Sequence, residues 1–129
     1  AGGILLADSC CGRAEFDQSF RENVKKLFPN QELVSIPLDD ELYSDSLTGS
    51  KLSVVSRRDR VSEKQNDNGY RELPPFLEGI KIDGRWVIVY SKYDLGCALE
   101  GHKSIDCLGH TRESALELAS RVVLYGLRN

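Results

Sequence analysis

No apolar run in this sequence approaches the ~20 residues that a bilayer-crossing helix requires. The longest are Ile4-Leu5-Leu6-Ala7 and Trp86-Val87-Ile88-Val89-Tyr90, so a spanning helix is not expected. An excess of positive charge is missing as well. Seventeen Lys and Arg stand against 20 Asp and Glu, a net charge of −3, which leaves no electrostatic footprint for nucleic acid or an anionic surface. Nucleic acid is therefore not an expected partner. Cysteine is sparse: Cys10, Cys11, Cys97 and Cys107 are too few to act as a disulfide scaffold for 129 residues, and they assign no compartment. The chain opens Ala1-Gly2-Gly3 without an initiator Met or a leader pattern, which reads as an excised or processed piece.

What is present reads as one α/β unit over residues 1–129, long enough to bury a sizeable core. Gly2-Gly3-Ile4-Leu5-Leu6-Ala7 is a continuous apolar run, the pattern of a central strand covered on both faces. Phe16, Phe20, Val24, Leu27 and Phe28 recur at helical spacing and stop at Pro29-Asn30. Residues 32–37 alternate as a second strand, so strand, helix and strand suggest a parallel crossover. Residues 44–72 are mostly serine, charge and Asn/Asp/Gly and read as a mobile loop or lid, with Arg57-Arg58-Asp59-Arg60 a solvated surface run. The segments 77–82 and 85–91 flank Asp83-Gly84, a pair suited to a two-residue hairpin turn, and the second arm should lie inside the sheet. Thr111 is placed to cap a last helix with Ala115, Leu118, Ala119, Val122 and Val123 on its apolar face.

Four strings occur in order: Gly2-Gly3-Ile4-Leu5-Leu6-Ala7-Asp8; Phe16-Asp17-Gln18-Ser19-Phe20-Arg21 running on to Leu27-Phe28-Pro29; Leu77-Glu78-Gly79-Ile80; and Tyr90-Ser91-Lys92-Tyr93-Asp94-Leu95-Gly96-Cys97. In this combination the chain resembles the bacterial domain-of-unknown-function family number 4159. The resemblance implies a flavodoxin-like, three-layer sandwich similar to class I glutamine amidotransferases. In such domains the Gly-Gly strand follows earlier strands, so the chain is similar to the C-terminal part of the fold, an incomplete sandwich with a β-hairpin and a long irregular excursion.

Three groups of residues could carry chemistry. Asp8-Ser9-Cys10-Cys11-Gly12 follows a strand and precedes a helix, where open α/β sheets bind ligands and where a cysteine nucleophile can stand near backbone N–H groups. The plainer reading makes Cys10 or Cys11 a small packed residue at a tight turn. Residues 93–100 follow the buried hairpin arm, and if that arm runs parallel to the Gly-Gly strand, Asp94 and Glu100 join Asp8 and the cysteines as acid, base or metal-binding carboxylates. Otherwise they accept hydrogen bonds from loop amides. Cys97, His102, Cys107 and His110 offer four zinc-type ligands in one loop. A Cys97–Cys107 disulfide, or one from the Cys10-Cys11 turn to this loop, competes with that set.

The amidotransferase resemblance would bring a Cys-His-Glu triad, yet no His-x-Glu pair occurs, and Glu100-Gly101-His102 has the reverse order. The expectation is thus a ligand-binding or interaction module without glutaminase activity and without a required cofactor, zinc excepted. A cysteine-dependent hydrolase or amidotransferase-like enzyme, with His102 or a carboxylate as helper, is the alternative. A structural domain that self-associates through an open sheet edge is the third reading.

Overall fold

A computed structural model describes residues 2–60, 69–101 and 107–129. The chain is mixed α/β, with four strands in one sheet and helices on both of its faces. β1 (Leu5–Asp8) leads through a short 3-10 turn at Cys10–Gly12 into α1 (Ala14–Leu27). β2 (Val34–Ser35) follows, then a 3-10 turn at Glu41–Tyr43 and the one-turn helix α2 (Asp45–Thr48). β3 (Val55–Arg57) and β4 (Arg71–Leu73) form a separate two-stranded sheet. The hairpin β5 (Glu78–Ile82) and β6 (Arg85–Ser91) precedes the short α3 (Gly96–Leu99) and the long α4 (Arg112–Arg128).

The main sheet has the order β1-β6-β5-β2. The hairpin forms as expected, with Asp83 and Gly84 both at positive φ (53° and 78°), as a two-residue primed turn requires. Its second arm does lie inside the sheet, because β6 pairs antiparallel with β5 and parallel with β1. Between Ile80 and Lys81 the partner shifts from Ile88 to Trp86, so Val87 is an extra residue on β6. This bulge lets Val87 and Ile88 both pack with Val24 and Ile80, while Trp86 and Val89 join the opposite core.

Two expectations need correction. Among the described residues the Gly-Gly strand lies at one edge of the sheet and not inside it: β1 pairs with β6 alone, and Leu5 is 53% exposed. An apolar run covered on both faces and an apolar run at an edge look alike by composition. Nor is β2 the far end of a parallel crossover; it pairs antiparallel with β5 on the opposite edge, and the parallel partner of β1 comes from the hairpin instead.

α1 lies against one face through Phe20, Val24 and Phe28, and is tied down by Arg21, which grips Glu78 of β5 through two hydrogen bonds of 2.8 and 2.6 Å. Asp17, one turn earlier, accepts from the Tyr90 hydroxyl at 2.8 Å. The other face packs on α4 through Ala115, Leu118, Val122 and Tyr125. Thr111 caps α4 as expected, its hydroxyl accepting from the Ser114 amide at 3.3 Å. Val123, expected on the buried face, is exposed, and Tyr125 takes its place, its hydroxyl oxygen accepting from the Trp86 amide at 3.0 Å.

The described part of the 44–72 excursion holds regular secondary structure. It carries α2, β3 and β4, with residues 61–68 outside the described residues. Arg57 and Arg58 are buried and not a solvated run. The Arg57 guanidinium lies over the Tyr93 ring at 4.8 Å and donates to the Pro74 carbonyl, and that of Arg58 covers Tyr70 at 4.4 Å. Planar, weakly hydrated guanidinium groups can be buried on aromatic faces, which charge counting along a sequence does not register.

Candidate functional site

Because β1 and β6 are parallel, their carboxyl ends deliver two loops to the same end of the sheet. The Ser9 amide donates to the Ser91 carbonyl at 3.0 Å, extending the ladder by one step into the turn that holds Cys10 and Cys11. Asp8 closes the gap beyond it: one carboxylate oxygen accepts from the Leu95 and Gly96 amides at 2.8 and 2.9 Å, where α3 starts. Asp94 is buried and bridges in the opposite sense, its two oxygens accepting from the Cys11 amide at 3.2 Å and the Ala98 amide at 3.1 Å.

A third segment, 107–110, is laid onto these two by its backbone. Leu108 donates to the Cys11 carbonyl at 3.0 Å and accepts from the Asp94 amide at 3.0 Å, and His110 donates to the Asp94 carbonyl at 3.1 Å. The approach is so close that a Cβ on Gly109 would stand 2.5 Å from that of Asp94. Arg58 adds hydrogen bonds from its amide to the Gly109 carbonyl and from its guanidinium to the Cys107 carbonyl, at 2.7 and 3.0 Å.

These three segments gather all four cysteines. Cys11 and Cys107 form a disulfide, and the free Cys10 and Cys97 have their sulfurs 3.9 Å apart. One ligand atom from each of Cys10, Cys11, Asp94 and Cys97 lies within 4.8 Å of the others. The left-handed backbone at Cys11, φ 54°, allows two adjacent residues to direct their sulfurs to the same place. Burial, then the neighbouring Asp94 carboxylate and Cys10, push the Cys97 thiol up to about 12. Such a thiol is not an activated nucleophile.

The structure thus brings together Cys10, Cys11 and Asp94 of the expected catalytic group, with Asp94 in the role of amide acceptor. Glu100 stands exposed at the end of α3, outside the cluster. The members of the loop quartet Cys97, His102, Cys107 and His110 that are described take different places. Cys107 is joined to Cys11, His102 lies outside the described residues, and His110 is not among the clustered ligand atoms. Of the disulfides weighed, the one from the Cys10-Cys11 turn to this loop is present, because the hydrogen bonds of Leu108 set Cys107 beside Cys11. The roles of Gly109 and Arg58 escaped the sequence reading; a glycine two residues beyond a cysteine was the one available sign.

His110 has a structural task. It is 2% exposed, and its Nδ1 lies 3.0 Å from the Asp94 carbonyl, an acceptor, so Nδ1 carries the proton and Nε2 has no partner among the described residues. Burial lowers its pKa to about 4, helped by the Arg57 charge and opposed by the hydrogen bond to Asp94. The unfolded chain therefore takes up a proton that the folded chain refuses, so stability is complete above about pH 6.5 and falls as pH drops toward 4. We expect a loss on the order of 3 kcal/mol over that window, read as a falling urea midpoint. His110→Asn, which keeps a donor and does not titrate, should flatten the profile; identical slopes in the two proteins would refute the assignment.

Residues 1–127 match the family described as a domain of unknown function, DUF4159, and the chain belongs to it. No curated protein matches the chain.

Proposed function

We propose that this DUF4159 domain is a ligand-binding module without glutaminase activity, whose binding element is the Cys10–Cys97 thiol pair at the carboxyl ends of β1 and β6. The observation that carries this reading is the division of labour in the cluster. Asp8 and Asp94 each accept two backbone amides, Cys11 is covalently occupied, and only Cys10 and Cys97 remain free, 3.9 Å apart. The carboxylate beside these thiols, Asp94, already accepts a backbone amide on each oxygen, an arrangement that suits capture of a thiophilic group better than acyl transfer, which needs a thiolate and a proton acceptor. A flavodoxin-like, class I amidotransferase-like sandwich is the fold this reading places around the site. Its support is a ligand end formed by parallel strands, with helices on both faces.

The test uses the oxidised protein and phenylarsine oxide, whose arsenic bonds two close thiols and whose oxygen leaves with their two protons as water. We expect a single equivalent to be held, with neither ammonia release from glutamine nor a trapped acyl-enzyme. Retention of no arsenical, or turnover of glutamine through Cys10 or Cys97, would overturn the reading.

A further inference from the structure

We propose that reduction of the Cys11–Cys107 disulfide converts the cluster into a four-thiolate site for one zinc-class divalent cation, held by Cys10, Cys11, Cys97 and Cys107. This deepens the reading above and rests on it, since it names the ligand class of the same thiols.

The geometry is close to what the ion demands. Zinc–sulfur bonds of ~2.3 Å arranged tetrahedrally hold sulfurs about 3.8 Å apart, and Cys10 and Cys97 stand at 3.9 Å. Cys11 is within 4.8 Å of both, and Cys107 is one bond from Cys11. The placement of Cys107 does not depend on that bond, because the Leu108 amide is held on the Cys11 carbonyl and the Leu108 carbonyl accepts from the Asp94 amide. Opening the disulfide leaves the Cys11 sulfur within 4.8 Å of the free pair and releases the Cys107 sulfur next to it. An Asp94 oxygen also lies within 4.8 Å of the Cys10, Cys11 and Cys97 sulfurs, but each of its oxygens already accepts a backbone N–H, so it orients the loops and leaves the ligand positions to the thiolates. A cluster of several irons would need its thiolates farther apart than this group provides, so a single ion is favoured.

The chemistry balances in two steps. A dithiol of the thioredoxin class gives two electrons and two protons to the Cys11–Cys107 bond and becomes a cyclic disulfide, leaving two thiols. Binding of the divalent cation to four thiols then forms four metal–sulfur bonds and releases the thiol protons, so affinity rises with pH. The ion and the disulfide thus act as alternative links between the turn after β1 and the segment before α4.

The experiment is an anaerobic titration of the phosphine-reduced full chain with cobalt(II), then zinc. We expect one equivalent of cobalt with a tetrahedral visible spectrum and strong thiolate charge transfer, displaced by one zinc, and no such spectrum before reduction. Cys97→Ser and Cys107→Ser should each weaken binding by more than the roughly 10–100-fold that loss of an outer partner costs. Should these variants unfold, X-ray absorption of the wild-type zinc form decides: four sulfurs at about 2.3 Å support the site, and a shell dominated by nitrogen and oxygen overturns it. No stoichiometric cobalt binding, or a brown multi-iron chromophore, also overturns it. Failure here with successful arsenical bridging of the oxidised protein removes only the metal site; failure of the bridging removes the parent reading.

Discussion

Replacing Arg121 with Met should be the most damaging single substitution in the chain outside the cysteine cluster, lowering stability by about 3–5 kcal/mol. Arg121 is 0% exposed on α4 and is nonetheless a structural hub. It donates to the carbonyls of Leu42, Ser44 and Ser50 and to the Thr48 hydroxyl, and its Nε lies 2.9 Å from Glu117. One guanidinium fork therefore satisfies the backbone of the 41–50 segment and fastens it to α4. Methionine retains much of the stem but leaves these buried acceptors without donors. Against a total of roughly 5–15 kcal/mol for a domain, that is a large fraction. Arg121→Lys should recover only part of it, having no planar fork, while Glu117→Ala should cost less than about 1 kcal/mol because that carboxylate is 38% exposed. Urea midpoints at constant slope provide the measurement. A loss under 1 kcal/mol for Arg121→Met would contradict the assignment.

Gly12→Ala should be nearly as costly and should act on the site itself. Gly12 sits at φ 64°, where an alanine loses about 1–2 kcal/mol. Its Cβ would also lie 2.7 Å from both the Cβ and the carbonyl oxygen of Leu108, so the 107–110 segment must retreat. Retreat breaks the Leu108 hydrogen bonds to Cys11 and Asp94 and draws Cys107 from Cys11. The expected total is about 2–4 kcal/mol, with a fall in the fraction of Cys11–Cys107 disulfide in a fixed glutathione buffer. Gly49→Ala is the control: Gly49 has φ 85° and nothing within 4 Å of the added Cβ, so it carries the conformational cost alone. Equal losses in the two variants, with the disulfide fraction unchanged, would show that the close approach at Gly12 does not organise the site.

Local rules account for the parts that were legible in advance. The Asp83-Gly84 turn, the spacing from Phe16 to Phe28 and the Thr111 cap are each decided within a few residues, and each formed where expected. The partners of β1 and β2 were not legible, since pairing is settled by packing between segments distant in sequence. The burial of Arg57, Arg58 and Arg121 was hidden for the same reason: composition counts a charge as exposed, whereas these guanidinium groups find rings and carbonyls from other elements.

The site was half visible. The Cys10-Cys11 turn and the Asp94 loop were both singled out, and the parallel pairing of β1 with β6 brings them together as that expectation required. What spacing could not supply was the grouping of the cysteines. Spacing groups Cys97 through His110 as one local set, whereas the ligand atoms that meet within 4.8 Å among the described residues come from Cys10, Cys11, Asp94 and Cys97. In three dimensions the 107–110 backbone crosses over the turn after β1, so the disulfide partner of Cys107 is 96 residues away in sequence.

Peptide mapping of the arsenical adduct decides whether Cys10 and Cys97 are the binding pair. Oxidised protein is treated with one equivalent of phenylarsine oxide, digested without reduction and analysed by mass spectrometry. The account predicts one species in which arsenic joins the Cys10 and Cys97 peptides while Cys11 and Cys107 remain linked by their disulfide. Arsenic on neither free thiol, or a disulfide map that pairs the four cysteines in any other way, would contradict it.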